Sequence, residues 1–518
     1  MNTRKILAFR LIALLAVFAI VVLFPLNDDV AYWQSMSFDW LTYGRWPYIG
    51  SWDHNFPGIL LVHIPAILLF GPADVGFRLF DVFIQLGFCI VLYRLWRLYL
   101  PERVSWIAVL FYAFYYARAA PEIAGQRDIY ASLLVLASSY ILLRTQAMLN
   151  MRTIAVAGLG VGIAVLIRPT YGIYLLPLVL CIPSLRNVRS IVAIGVSSLI
   201  PLALSYAIYA MKPGGLDAYW TATVLFNRDL SIGITRPIGN FFRALVSPKL
   251  LVVPAGISIL WILEKKFARR TAIDRVHLPR RITLLYISFV VLTIALILVQ
   301  HKYYTYHFAM YGMLLTPLAA IGTERLLRYA PSRIAIPAFF CIFWMLSLPL
   351  EMLTRYTVPA AEHGMFSQGL STALHAAVWE DTSEGRILDY FQHPEHRAGR
   401  VEVCSFDARL RLHLMRGPAG IYVSLHPLGF RTDTNDPTAF TPYQRQWRKA
   451  YIDSLETIRP SYMVIARATN AEYLKDPYMS VLHGIPGFDS LLETNYKLDS
   501  IIGTNDIYKR RSTSNEYR

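Results

Sequence analysis

Long unbroken apolar runs, separated by short basic or aromatic turns, set the pattern of this chain. Leu11–Leu26, Ile191–Met211, Ile282–Val299 and Ile334–Leu350 are mostly apolar, and each approaches the roughly 20 residues a helix needs to cross hydrocarbon. Because the runs are continuous instead of alternating, they predict helices and not barrel strands. Further spans are expected near Phe77–Leu98, Val104–Ala117, Ile129–Leu143, Ile154–Ile167 and Tyr171–Ile182. Counted with alternating sidedness, the pattern predicts about eleven helices. Gly158, Gly160 and Gly162 lie within one span, where small residues let helices approach closely.

The first polar stretch, residues 27–76, reads as a long outer loop. Its apolar piece Ile59–Phe70 is short and bracketed by prolines, so it is expected to lie along the interface or on the bundle. From about Thr354 the pattern changes. Short β-rich runs (Val401–Phe406, Ile421–Leu425, Tyr462–Ala466, and Tyr496–Tyr508 broken at Gly503) alternate with helical stretches, the signature of a small α/β domain. Thr441-Pro-Tyr-Gln444 predicts a capped helix start and Arg459-Pro460 its stop. The expectation is a multi-pass α-helical membrane domain over 1–353 followed by an extracytoplasmic α/β domain over 354–518.

Composition agrees: 55% hydrophobic residues, 16% charged residues and a mean hydropathy of +0.41 exclude an ordinary soluble enzyme. The net charge of +16 comes from residues in short loops, which excludes a nucleic-acid stripe. Arg4 and Lys5, Arg94 to Arg103, Arg144 and Arg152, Arg186 and Arg189, Lys265 to Arg281, and Arg325 to Arg333 fall at every second loop. By the positive-inside rule this puts the N-terminus in the cytoplasm of a cell membrane and the C-terminal domain outside. The basic start and apolar core resemble a signal peptide, but no small-x-small site precedes Asn27, and a retained first helix is expected. Cys89, Cys181, Cys341 and Cys404 suggest no disulfide framework.

The polar residues expected at the outer face form a non-random set. Asp28 and Asp29 follow the first span directly, where acidic groups are costly and therefore suggest function. With them come Tyr32, Asp53, His54, Arg78, Glu122, Gln126, Arg127, Asp128, Arg168, Arg228, Arg236, His301, Lys302 and His307. A carboxylate can deprotonate a hydroxyl, and cations in a site of low dielectric can stabilise a departing phosphate. Plainer readings stand beside these: solvated helix-end acids, an Arg127–Asp128 pair, a snorkelling Arg168, and an aromatic belt around Lys302 and the histidines.

Asn27-Asp-Asp-Val-Ala-Tyr32, Gly44-Arg-Trp-Pro-Tyr48, Asp53-His-Asn-Phe-Pro-Gly58, Gly125-Gln-Arg-Asp128, Ile167-Arg-Pro-Thr170 and His301-Lys-Tyr-Tyr-Thr-Tyr-His307 occur in this order. Over roughly its first 330 residues the chain resembles the integral-membrane GT-C glycosyltransferases, the group of the protein O-mannosyltransferases and aminoarabinose transferases. The resemblance implies a polyprenyl-phosphate sugar donor, inversion at the anomeric carbon, and a first-loop aspartate as base: Asp28, or Asp29 beside it. Many relatives have Lys before the Pro-Pro-Gly of this loop, whereas this chain has His54-Asn55-Phe56-Pro57-Gly58. The phosphate is then expected to meet His54, Arg127, Arg168 and Lys302, with Tyr32, Asp53, Glu122, Gln126, Asp128, His301 and His307 around the substrates.

The acceptor, whether glycan, lipid or protein, is left open. A divalent metal is also open as a cofactor, with Asp29, His54, His301 and His307 as its ligands, although no ligand spacing marks them. Two further classes stand as alternatives: a polysaccharide polymerase or ligase using a polyprenyl-diphosphate glycan, and a transporter or flippase. The latter predicts inverted repeats and mid-membrane charges, and Asp81 with Gln85 is the most internal polar pair.

Overall fold

A computed structural model of the chain describes residues 3–145, 149–233, 237–246, scattered positions from 252 to 259, 279–329, 382–405, 408–414, 422, 425–429, 440–467 and 478–511. The span expected at 334–350, most of the basic stretch 265–281, Arg236 and Cys341 lie outside these residues.

The first half is helical: α1 (Thr3–Val22), α2 (Asp28–Tyr43), α3 (Gly58–Phe70), α4 (Asp74–Arg97), α5 (Glu102–Ile123), α6 (Arg127–Arg144), α7 (Met151–Ile167), α8 (Leu175–Cys181) and α9 (Val188–Ala210). Then follow α10 (Gly215–Trp220), a π-helical turn (Thr221–Leu225), α11 (Phe226–Gly233), α12 (Ile238–Val246), α13 (Arg280–Gln300) and α14 (Ala309–Tyr329). Among the described residues, α4, α9 and α13 are long and apolar enough to cross a membrane. Val196, Leu199 and Leu204 on α9 and Ile287 and Val291 on α13 are exposed, an outward apolar stripe that suits lipid.

The glycines of α7 act as expected. A Cβ at Gly158 would lie 2.0 Å from Ser197 Oγ, one at Gly162 would lie 2.4 Å from the Ser198 carbonyl, and one at Gly160 would lie 2.4 Å from Ser138 Oγ. Small residues thus bring α7 against α9 on one side and α6 on the other.

Three expectations need correction. The stretch after α1 is mainly helical and not a long loop: Asn27 Oδ1 accepts the Val30 N–H at 3.0 Å, and Asp28 and Asp29 occupy the first turn of α2, where anions complement the helix dipole. The gap left between the spans expected near Val104–Ala117 and Ile129–Leu143 shrinks to Ala124–Gln126, because Gly125 at φ +82° permits a tight turn between α5 and α6. The span expected over Tyr171–Ile182 is a 3-10 turn (Pro169–Tyr174) followed by the short α8. Pro169 sits at its first turn, and the apolar piece Pro169–Cys181 is shorter than a full crossing.

The C-terminal residues form α15 (Ser383–Gln392), β1 (Val401–Cys404), α16 (Ala408–Leu414), α17 (Pro442–Ile458), β2 (Tyr462–Ala466), α18 (Tyr478–His483), α19 (Phe488–Asn495), β3 (Tyr496–Ile502) and β4 (Asn505–Arg510). The sheet order is β1-β2-β4-β3, with β1 parallel to β2 and the other pairs antiparallel. α17 begins with the expected capping box, Thr441 and Gln444 satisfying each other's backbone N–H. In the expected strand 421–425, the described Tyr422 and Leu425 lie outside the sheet and the other positions are not described.

Two sets of contacts position the site. Arg78 on α4 donates to the carbonyls of Phe24 (3.1 Å), Pro25 (2.6 Å) and Ala124 (2.9 Å), joining the end of α1 to the α5–α6 turn. Among the outer-face polar residues it is therefore a structural clamp. α16 packs along α2: Arg409 Nε lies 3.1 Å from Asp28 Oδ1, Arg411 Nη2 lies 3.1 Å from the buried Asp39 Oδ2, and His413 Nε2 lies 3.5 Å from Asp74 Oδ1. Asp81 and Gln85 form a satisfied network within the bundle: Tyr116, Tyr130 and Gln85 all donate to the Asp81 carboxylate, and Tyr112 donates to Gln85.

Candidate functional site

The N-termini of α2 and α6 lie side by side, tied by short polar side chains. Gln126, the N-cap of α6, donates from Nε2 to Asp29 Oδ2 at 3.2 Å and to Asn27 Oδ1 at 3.3 Å. Asn27 Nδ2 in turn reaches the Glu122 carbonyl at 3.4 Å. The acidic pair thereby splits: Asp29 faces the α6 start, while Asp28 pairs with Arg409.

Around the α6 start the cations converge. Arg127 is partly buried and interacts electrostatically with Asp29, Asp53, Asp128, Arg168 and Tyr306. Arg168, the residue that ends α7, places Nε 3.2 Å from Asp128 Oδ1 and donates from Nη2 to Gln300 Oε1 at 2.7 Å. Arg127 and Asp128 are thus not simply each other's partner. Lys302 comes from the loop after α13, between His301 and Tyr303, which both adopt left-handed backbone (φ +51° and +46°). Such conformations in bulky residues store strain and cluster at functional sites. Burial, with Arg127 and Arg168 nearby, lowers the Lys302 ammonium from its ordinary 10.5 to about 8. Three cationic side chains from three separate segments therefore lie within electrostatic reach of one another.

On the opposite side is the turn 51–55. Asp53 is fully buried; its Oδ1 accepts the N–H groups of His54 (2.7 Å) and Asn55 (3.1 Å) and Asn55 Nδ2 (2.9 Å). Burial raises its pKa from 3.8 to about 7 against the pull of these donors and of Arg127. Tyr32 donates its hydroxyl to the Trp52 carbonyl and interacts with Asp53. The His54 ring packs against the Trp52 and Phe226 pair, about 5.9 Å from each, with Nδ1 3.6 Å from Asp53 Oδ1.

The structure thus gathers Asp29, Asp53, Gln126, Arg127, Asp128, Arg168 and Lys302 around one region, with Asp28, Tyr32 and His54 at its borders. His307 is buried in the same loop as Lys302, edge-on to Tyr304 and Tyr306. The side chains of Glu122 and His301 are exposed, and Glu122 contributes its carbonyl. Tyr306, Gln300, Arg409 and Arg411 escaped the sequence reading. Tyr306 lies inside the quoted 301–307 run, but nothing local marks the two arginines.

Among the described residues, the ligand-type side chains that converge in a group of three are His393, Glu395 and His396, on an exposed turn before β1. Asp29, His54, His301 and His307 form no such group, so their residue set does not fit a shared metal.

Residues 59–209 match the family model described as dolichyl-phosphate-mannose-protein mannosyltransferase. A comparison with curated protein sequences gives no match. In fold, the chain is similar to ArnT from Cupriavidus metallidurans bound to undecaprenyl phosphate, with a TM-score of 0.59 at 13% identity covering 98% of both chains. The apo state of the same protein matches with a TM-score of 0.59 at 14% identity and the same coverage. A looser likeness, TM-score 0.48 at 16% identity, covers 96% of this chain and 73% of the Archaeoglobus fulgidus oligosaccharyltransferase.

Proposed function

We propose that this chain, which resembles the GT-C glycosyltransferases in fold and has a mannosyltransferase-type sequence over residues 59–209, transfers a sugar from a polyprenyl-phosphate donor to a hydroxyl acceptor. The observation that carries this reading is the mutual crowding of Arg127, Arg168 and Lys302, with the ammonium of Lys302 lowered to about 8. Cations assembled at a cost to one another are relieved by an anion, and a lipid phosphate at a membrane-embedded site supplies one.

In this mechanism the acceptor oxygen attacks the anomeric carbon as the bond from that carbon to the phosphate oxygen breaks, with inversion. The electron pair leaves on the phosphate, which Arg127, Arg168 and Lys302 hold. The hydroxyl proton passes to a carboxylate of the first turn of α2. Asp29 is favoured over Asp28 because it lies beside Gln126 and Arg127, whereas Asp28 is engaged by Arg409. The basic-loop alternation supports a site on the extracytoplasmic face, with the N-terminus in the cytoplasm of a bacterial inner membrane and the β-sheet region outside. On this reading residues 1–353 form the transmembrane catalytic part and 354–518 the outer domain.

The test is transfer from a panel of radiolabelled polyprenyl-monophosphate sugars by the full-length protein in nanodiscs, comparing wild type with Asp29→Asn and Asp28→Asn. Label on an acceptor, or slow donor hydrolysis that depends on Asp29, is expected. Absence of both turnover and lipid-monophosphate binding would overturn the reading, and binding of diphosphate-linked glycans instead would turn it to a polymerase or ligase.

A further inference from the structure

Several buried polar atoms with no hydrogen-bond partner lie on one short turn and the helix behind it. They are Ser51 Oγ, Trp52 Nε1, Asp53 Oδ2, Asn55 Oδ1 and Tyr209 Oη. The five residues are at most 5% exposed. Tyr209 belongs with the turn: its ring lies 5.2 Å from that of Tyr48, and its phenol interacts with Asp53. Each such atom left without a partner has lost its water and gained nothing in return, and native proteins carry few of them.

The turn itself is rigidly built. Tyr48, in left-handed backbone (φ +67°), donates its hydroxyl to the Asn55 carbonyl at 2.5 Å. Asp53 Oδ1 is held by three N–H groups, which fixes Oδ2 in place. Aromatic rings surround it: Phe226 lies 5.0 Å and Trp447 5.2 Å from Trp52, and Tyr219 lies 5.0 Å from Tyr48.

We infer that the turn 51–55, with Tyr209, is a seat for a sugar ring. The unpartnered atoms mix donors (the indole and phenol), acceptors (the carboxylate and amide oxygens) and one hydroxyl. A metal ion would find no use for the indole N–H, and a phosphate would be repelled by Asp53. Adjacent hydroxyl groups, each able to donate and accept, match the whole set. Aromatic faces beside such groups provide stacking for the C–H side of a pyranose. This inference rests on the proposed transferase reading for its source of sugar: either the sugar carried by the donor lipid or a glycan acceptor.

The experiment uses the full-length protein in nanodiscs and tryptophan fluorescence. Three probes are titrated: undecaprenyl phosphate, undecaprenyl-phosphate mannose, and methyl glycosides free in solution. The variants are Asp53→Asn and Tyr209→Phe, the second removing only a hydroxyl so that the fold is kept. If the seat takes the donor sugar, the affinity gained by mannosylating the lipid falls roughly three- to tenfold in each variant, measured against that variant's own affinity for bare undecaprenyl phosphate, and Tyr209→Phe binds bare undecaprenyl phosphate as wild type does. If it takes an acceptor glycan, free methyl glycosides bind wild type and lose affinity by that factor in the variants. Unchanged binding of both sugar probes in both variants would overturn the inference. Wild type failing to bind undecaprenyl phosphate would instead count against the transferase reading, and methyl-glycoside binding would still decide the seat.

Discussion

Arg409 Nε lies 3.1 Å from Asp28 Oδ1, across 381 residues of chain, while the neighbouring Asp29 accepts from Gln126. One acid of the pair therefore belongs to the contact between α16 and α2, and the other to the cation-lined region. Asp29→Asn is expected to lower sugar transfer roughly 10²- to 10⁴-fold with donor binding retained, the range for loss of a general base. Asp28→Asn should cost much less and should weaken the hold of α16 on α2. Single-turnover transfer, together with proteolytic release of the C-terminal region, separates the two; a larger transfer defect in Asp28→Asn would reverse the assignment.

Lys302 gives a pH signature. Its folded-state pKa, about 8, lies below its ordinary 10.5. Between these values the unfolded chain holds a proton that the folded chain lacks, so stability rises with pH through that window. Lys302→Met should remove the rise, stabilise the empty protein at pH 7 and weaken lipid-phosphate binding roughly ten- to hundredfold. Thermal unfolding from pH 7 to 10 and lipid-phosphate titrations measure both effects.

Asp53 shifts the other way, from 3.8 up to about 7. Between those values the folded state binds more protons than the unfolded one, so stability falls as pH rises from about 4 to 7. Asp53→Asn should flatten that slope and raise the melting temperature at pH 8. A wild-type slope unchanged in the variant would show that Asp53 ionises freely in the folded protein.

Arg411 is buried, pairs with Asp39 and donates to the Tyr422 carbonyl at 2.8 Å. Arg411→Met leaves a buried carboxylate without its cation and should cost about 3–5 kcal/mol. Asp39→Asn with Arg411→Met should recover part of that loss. Melting temperatures in detergent for the two single variants and the double variant form the required cycle.

Gly162→Val tests the bundle. The added carbon would meet the Ser198 carbonyl, and overpacking of this kind costs about 1–3 kcal/mol. Gly195→Ala on α9, where a Cβ meets nothing within 4 Å, should be neutral or mildly stabilising. Melting temperatures of the two variants, measured side by side, should move apart.

Sequence reasoning succeeded where the cause was local. The Thr441-Pro-Tyr-Gln444 start of α17 and the glycine contacts of α7 follow from a few adjacent residues. Arg127, Arg168 and Lys302 could be grouped because alternating sidedness collects loops that are far apart in sequence. The helix at Asp28 was also legible in principle, since Asn27 followed by two acids is a cap and a charged first turn. The expectation of a loop came from placing those residues beside a membrane helix and reading their polarity alone. Arg78 read as one more outer-face charge because its three carbonyl partners carry no sequence signal. The pairs Asp39–Arg411 and Asp28–Arg409 depend on how α16 docks, which no local pattern encodes.

Arg78 also decides which substitutions the frame can absorb. Its guanidinium joins Phe24 and Pro25 to Ala124 through three main-chain oxygens, so one side chain supplies the whole joint and its partners lend only backbone. The spacing between the lead into the acidic pair and the turn before Gln126 is therefore indifferent to the side chains at positions 24 and 124 as hydrogen-bond partners and wholly dependent on the one at 78.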